Sequence, residues 1–263
     1  MLVKIFKSAD DYSKAAARVI ARLIGRKPDA VLGLATGSTP VPLYNELIRL
    51  HQEEALDFCR VTTFNLDEYV GITRTHSQSY HAFMKENLFS KINIPSENIH
   101  VPNGTVENIE QQCEWYEERI RLKGGIDLQV LGIGGNGHIA FNEPGSSLGS
   151  RTRIKTLSER TRDDNSRFFD SMDKVPKYAI TMGIGTIMES HRLLLLASGK
   201  SKAKAIKNTV EGPITAMVPA TIVQMHRYAM IYIDEAAASA LSREYEKIKP
   251  EDVARKRSVT IQL

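Results

Sequence analysis

The sequence predicts a single α/β domain built as a doubly wound, Rossmann-like, mostly parallel sheet with helices on both faces. Three observations carry that expectation. Six short apolar runs read as strands: VLGLAT (31–36), VTTFNL (61–66), LQVLGIG (128–134), YAITMG (178–183), LLLLAS (193–198) and YAMIYI (228–233). Their near-continuous apolar character is what a sheet covered on both sides requires. Amphipathic stretches alternate with them, and repeated strand–helix alternation implies right-handed crossovers between parallel strands. Finally, the 263 residues contain no Pro/Gly/Ser linker, repeat or low-complexity tract. One domain over 1–263 is therefore expected, although a soft average of ~150 residues per domain would suggest two.

Taken in order, the first helix runs from Ser8 to about Gly25, with Ala15, Val19, Ile20, Leu23 and Ile24 at helical spacing. Ser8 and Asp11 resemble a capping box at its start. After strand 31–36, a second helix spans Pro42 to Glu54 and repeats the pattern with Leu43, Leu47, Ile48 and Leu50. Further helices are expected at 107–122, 200–210 and 235–247, each beside one of the later strands. The polar segment 146–190, with its run SERTRDDNSRFFD, is expected to form part of a lid.

Composition narrows the function classes. Hydrophobic residues make up 42% and charged residues 25%, which suits a globular chain and not a disordered or fibrous one. No stretch approaches the ~20 apolar residues of a membrane span. The opening MLVKIFKSADDYSKAA meets acids too soon for a signal peptide, so neither membrane nor export is expected. Lys and Arg total 35 against 31 Asp and Glu, a mild +4. The densest cationic clusters are Lys200, Lys202, Lys204 and Lys207, and Arg151, Arg153 and Lys155. They suit a small anion better than a polymer, so no nucleic-acid partner is expected. Cys59 and Cys113 form neither a CxxC pair nor metal spacing, and a reducing cytoplasm is the simplest reading.

In such sheets ligands bind beyond the carboxyl ends of the strands, so the loops there carry the chemistry. ATGSTP (35–40) joins a strand to a helix. Gly37 permits close backbone approach, while Thr36, Ser38 and the helix start offer donors to a phosphate. Neither a P-loop nor a GxGxxG turn is present, and a plain tight turn with an N-cap hydroxyl remains the alternative. In FNLDEYVGI (64–72), Asp67 and Glu68 adjoin at a strand end. A carboxylate there can act as a general base on a carbon acid, or simply cap a helix or face water. LGIGGNGHIAFNEPGSSLGSRTR (131–153) crowds four glycines around His138, with Asn136 two residues before and Glu143 five after. Histidine passes protons near neutral pH and a neighbouring carboxylate or amide can fix its tautomer; the plainer reading is a histidine bonded to a carbonyl or capping a helix. One histidine makes no metal site. Arg167 in NSRFF and Lys202 in SGKSKAKA can each neutralise a phosphate or stand as solvated cations.

LGLATGSTP, TFNLDEYVGI, SYHAFM, LGIGGNGHIAFNEPGSSLGSRTRIKTL, NSRFF and MGIGT together resemble the glucosamine-6-phosphate deaminase family (glucosamine/galactosamine-6-phosphate isomerases). The likeness runs from about residue 30 to at least 225, and GHIAFNEP with NLDEY is its most specific part. It implies conversion of glucosamine 6-phosphate and water to fructose 6-phosphate and ammonia in amino-sugar catabolism, with no metal or organic cofactor. It assigns Asp67 as the base between C2 and C1. His138 becomes the group that opens the pyranose ring, with Glu143 as its carboxylate, and Thr36, Gly37, Ser38, Arg167 and Lys202 become the phosphate-holding set. Members of the enteric type have Asp where this chain has Asn136. An amide can donate or accept but carries no charge, so Glu143 alone would stabilise an imidazolium at His138.

Ser146, Arg153 and Lys155 match part of the effector site of enteric-type hexamers. The tail ending SVTIQL does not match the longer enteric tail, so an unregulated monomer or small homo-oligomer is expected. Two other readings compete. A related galactosamine 6-phosphate enzyme or a lactonase is one; a lactonase needs no C2 proton abstraction. A non-catalytic sugar-phosphate sensor is the other, and it should lack the Asp67, His138 and Glu143 set.

Overall fold

The computed structural model describes residues 1–254 apart from 167, 168, 170, 172 and 173. The first half runs β1 (Leu2–Phe6), α1 (Ala9–Arg26), β2 (Val31–Leu34), α2 (Val41–Glu54), β3 (Thr62–Asn65), β4 (Asp67–Tyr69), α3 (Tyr80–Asn87), β5 (Ile99–His100), α4 (Ile109–Leu122) and β6 (Leu128–Leu131). The second half runs β7 (Arg153–Thr156), α5 (Glu159–Ser166), β8 (Tyr178–Thr181), α6 (Ile184–Met188), β9 (Leu193–Ala197), α7 (Ala203–Glu211), β10 (Ala229–Asp234), α8 (Glu235–Ala238), β11 (Glu246–Ile248) and α9 (Pro250–Ala254). Ser8 caps α1: its hydroxyl accepts from the Asp11 N–H at 3.2 Å and donates to the Asp11 carboxylate at 2.7 Å. One orphan N–H of the helix start is thereby satisfied locally.

Eight strands form a parallel sheet in the order β11-β1-β10-β9-β6-β2-β3-β5. From β2 the chain winds outward through β3 to β5. It then returns to the other side of β2 at β6 and winds the opposite way through β9 and β10. Side chains alternate between two cores, one on each face. Leu32, Leu34, Val130, Leu194 and Leu196 pack with Tyr12, Ile20 and Leu47 of α1 and α2. Val31, Leu131, Leu193, Leu195 and Ile231 pack with Tyr116, Ile187 and Ile206 of α4, α6 and α7. Burial on both faces is why these strands read as unbroken apolar runs.

Two expectations fail. The run at 178–183 forms β8, but not in the large sheet: it is the middle strand of an antiparallel three-stranded sheet, β4-β8-β7. Its first residue, Tyr178, is 49% exposed, and the aromatic cluster around Tyr69 and Phe141 buries Ala179. Antiparallel neighbours and an aromatic cluster bury a short apolar run as well as crossover helices do, and periodicity does not separate the two. The helix expected at 235–247 stops at Ala238. Glu211 of α7 captures the Ser242 and Arg243 N–H groups at 2.9–3.1 Å, and 246–248 adds to β1 as an edge strand. A side chain from another element has taken the donors that helix continuation needs.

Candidate active site

A cavity of about 330 Å³ opens beyond the carboxyl ends of β2, β3 and β6, where the winding reverses. This is the place a doubly wound sheet reserves for ligands. Thr36, Gly37, Ser38, Asp67, His138 and Lys202 all line it. Asn136 and Glu143 stand next to His138. Arg167 lies outside the described residues. A larger cavity, about 1160 Å³, lies between α4, β7 and α6 and holds none of these residues. Its recessed carboxylate, Glu117, is already taken up by Thr152, Thr186 and Arg151, so volume alone does not mark the chemistry.

The rim after β2 is held by Tyr44 of α2, whose buried hydroxyl donates to the Ala35 carbonyl. Gly37 has φ +92°, a conformation glycine adopts without strain. The helix start that follows has no side-chain cap, and Pro42 occupies its first turn. Its dipole end therefore faces a rim of hydroxyls at Thr36 and Ser38. Lys202 enters from the other side. Asp234 accepts from the Ser198 hydroxyl at 2.7 Å and the Gly199 N–H at 3.0 Å, and the Lys202 N–H donates to the Gly199 carbonyl at 3.0 Å. That turn places Lys202 at the start of α7.

Asp67 opens β4 directly after the main-sheet strand β3 and pairs with Thr181 of β8. It is buried, and burial first, then the adjacent Glu68 charge, push its carboxyl up to about 8. Glu68 points the other way along the pleat. It accepts from the backbone N–H groups of Tyr69, Tyr80 and His81 at 2.8, 3.0 and 3.0 Å. It is the capping acid that the sequence allowed as an alternative role for this pair, and it leaves Asp67 facing the cavity.

The His138 loop is held at several points. The Gly134 N–H donates to the His138 carbonyl at 2.9 Å, and a Cβ on Gly134 would meet the imidazole Cε1 at 2.1 Å. The ring therefore lies flat on a position only glycine leaves open. Ala140 takes a left-handed φ of +50°, and an isolated bridge joins Ile139 to Asn142. The buried Asn142 amide donates to the Ile139 and Met182 carbonyls at 3.0 and 2.9 Å. This fold-back brings Glu143 Oε1 to 3.6 Å from His138 Nδ1. Asn136 joins both: its amide donates to Glu143 Oε2 at 2.7 Å, and its oxygen accepts from the His138 N–H at 3.1 Å. An ionised Asp could not make that donation. In this chain the amide orients the Glu143 carboxylate that faces the imidazole.

Sequence reasoning did not single out Tyr80 or Phe141. Both line the cavity, and their rings stack at 6.1 Å with an interplanar angle of 13°. Ser79 as N-cap before Tyr80 was the legible signal for that helix start; nothing local marked Tyr80 as part of the cavity wall. Among the described residues, no group of three or more His, Cys, Asp or Glu is placed to hold a metal, and no helix is long and apolar enough to cross a membrane.

Fold and cavity together define a class: an α/β enzyme whose crevice lies at the switch point of a parallel sheet. A sequence profile describing glucosamine-6-phosphate isomerases and 6-phosphogluconolactonases matches residues 7–232. The glucosamine-6-phosphate deaminase of Thermoanaerobacter sp. (strain X514) is 51% identical over 244 residues, 93% of this chain and 96% of its own length. That of Clostridium perfringens (strain 13 / Type A) is 51% identical over 241 residues, 92% of this chain and 100% of its own. A solved monomeric glucosamine-6-phosphate deaminase superimposes with TM-score 0.89 at 48% identity, covering 91% of this chain and 100% of that one. The 6-phosphogluconolactonase of Thermotoga maritima shares the fold, with TM-score 0.70, 23% identity, and 89% and 100% coverage. The chain belongs to the glucosamine-6-phosphate isomerase/6-phosphogluconolactonase family.

Proposed function

We propose that this protein converts glucosamine 6-phosphate and water to fructose 6-phosphate and ammonia, as a step of amino-sugar breakdown. The activity rests on the half-identical relatives named for it. The observation that carries the mechanism is one cavity with a buried carboxyl and an imidazole on its walls and a hydroxyl-rich helix start and a lysine on its rim. The C6 phosphate is unchanged by the reaction, so it serves as a handle. Thr36, Gly37, Ser38 and Lys202 hold it, with Arg167 as a further cation, and binding energy spent there orients the reacting end.

His138 moves a proton between the C1 hydroxyl and the ring oxygen as the pyranose opens. Its Nδ1 is shielded from solvent and faces Glu143, which leaves Nε2 to the sugar. Glu143 steadies the charge that develops on the ring, and Asn136 holds Glu143 in line. Asp67, once its own proton has passed to solvent, then takes the C2 proton, giving an enolamine, and returns a proton to C1. Water adds at C2 of the resulting imine and ammonia leaves. Each step is a proton transfer or an addition that a carboxylate and an imidazole can assist, at ~10²–10⁴-fold per acid–base step. A carboxyl raised toward neutral pH is a stronger base than an ordinary aspartate, as carbon-acid chemistry needs.

We read residues 1–263 as one working domain, since the large sheet and β4 of the small one both line the crevice. The segment 146–190 carries β7 and β8 beside β4; none of its described residues lines the cavity, so as a cover it reaches the bound sugar by moving. Free Cys59 and Cys113 and a phosphorylated substrate suit a reducing cytoplasm. The monomeric structural relative favours a monomer. Purified protein incubated with glucosamine 6-phosphate should release ammonia and fructose 6-phosphate in equal amounts. No turnover of that sugar, with turnover of galactosamine 6-phosphate or a phosphogluconolactone instead, would refute the assignment.

A further inference from the structure

We infer that Glu68 is a positioning residue for the Asp67 base: its carboxylate pins the first turn of α3 to β4 and keeps a fixed negative charge beside Asp67. The inference rests on the reading of Asp67 as the base. Glu68 is not itself part of the cavity lining and, on that reading, does not touch the sugar. It is buried, yet three backbone N–H groups converge on it, two of them from the start of α3. Three donors on one carboxylate favour its ionised form inside the protein. The same bonds tie β4 to Tyr80, whose ring forms the cavity wall near Asp67. One side chain thus sets both the height of that wall and the charge next to the base.

The surroundings divide the two acids. Asp67 shares β4 with Glu68 and Tyr69. Tyr80 from α3 and Tyr116 from α4 lie within its electrostatic reach, and His138 and Lys202 line its cavity. Around Glu68 stand the three N–H donors, the cation of Arg74, and the phenols of Tyr69 and Tyr80. Burial raises both carboxyls. Only at Glu68 do backbone donors and Arg74 pull against it. When one proton is shared out between two buried neighbours, it goes to the one without donors, which is Asp67. Resting protonation and high basicity of Asp67 then follow from the placement of Glu68.

The test is the pH dependence of kcat/KM for glucosamine 6-phosphate in the wild type, Glu68→Gln and Glu68→Asp. Loss of the charge in Glu68→Gln should move the acid limb down by about one pH unit and lower kcat, with KM within about twofold because the phosphate rim is untouched. Glu68→Asp stays within reach of the Tyr69 N–H and of Arg74, which keep it ionised, but is too short for the α3 donors. It should leave the acid limb in place while kcat falls about tenfold. An acid limb that does not move in Glu68→Gln overturns the inference, and so does an equal shift in both variants.

Should neither variant fold, infrared titration of the wild type and Asp67→Asn decides. The wild type should show a protonated buried carboxyl band at neutral pH that Asp67→Asn abolishes. A band surviving in Asp67→Asn makes Glu68 the protonated partner and ends the proposal. Failure of the underlying reading looks different: Asp67→Asn would still exchange the C2 hydrogen of substrate with solvent.

Discussion

Replacing Gly134 by alanine separates the place of the His138 ring from everything else in the site. The added Cβ would stand 2.1 Å from Cε1, 2.3 Å from Nε2 and 2.4 Å from Nδ1 of the imidazole. Carbon atoms in good contact sit about 3.5 Å apart, so the ring must retreat by more than about 1 Å. The backbone at Gly134 lies outside the left-handed region, so alanine brings no φ strain. His138 is 27% exposed and can swing outward, which limits the stability loss to roughly 1–3 kcal/mol. A misplacement of about 1 Å at a reacting group costs on the order of 100-fold. Steady-state ammonia release from cyclic glucosamine 6-phosphate should therefore fall about 100-fold. An open-chain analogue, which needs no ring opening, should be turned over within about tenfold of wild type. A folded Gly134→Ala protein with unchanged kcat/KM on the cyclic sugar would refute the assignment of ring opening to His138 from this position.

Three other outcomes are expected. Asp67 holds a proton in the folded chain up to about pH 8, whereas the unfolded chain releases it near 4. Wild-type stability should thus fall as pH rises through that window, by a few kcal/mol. Urea midpoints at pH 5 and 8.5 should show the fall in the wild type and its absence in Asp67→Asn, and parallel curves would contradict the raised carboxyl. Lys202→Ala should weaken fructose 6-phosphate binding by roughly 10–100-fold without affecting fructose, by calorimetry; an unchanged affinity would move the phosphate elsewhere. Hydrogen exchange over 150–175 should slow when a phosphosugar binds, and indifference of that segment would end its role as a cover.

What the sequence made legible follows from where the signal is local. Runs such as 128–134 and 193–198 are apolar because both faces of the sheet are covered, and they form β6 and β9. The short strands β4, β5, β7 and β11 have two to four residues each and no periodicity of their own. Partners distant in sequence make them strands. The 235–247 region failed for the same reason, since Glu211 reaches it from α7. In the site, Gly37, Asp67, His138 and Lys202 were visible because each follows a strand. The orienting role of Asn136 was half visible: its residue type showed a missing charge, but only the fold shows the amide joining Glu143 to the His138 backbone. Glu68 shows the converse. Beside Asp67 it looked equivalent, and strand alternation gave the two acids opposite work.

The reversal of winding between β2 and β6 splits the crevice by ancestry along the chain. Asp67 and residues 36–38 belong to the half that folds outward to β5, while His138 and Lys202 belong to the half that folds back toward β1. A partly assembled molecule with only the first half in place has half a grip, an Asp67 without its β8 partner, and nothing to open the sugar. Recovery of turnover during refolding is therefore a clock for the joining of the two halves, and it should lag behind any spectroscopic signal that reports helix formation in either half alone.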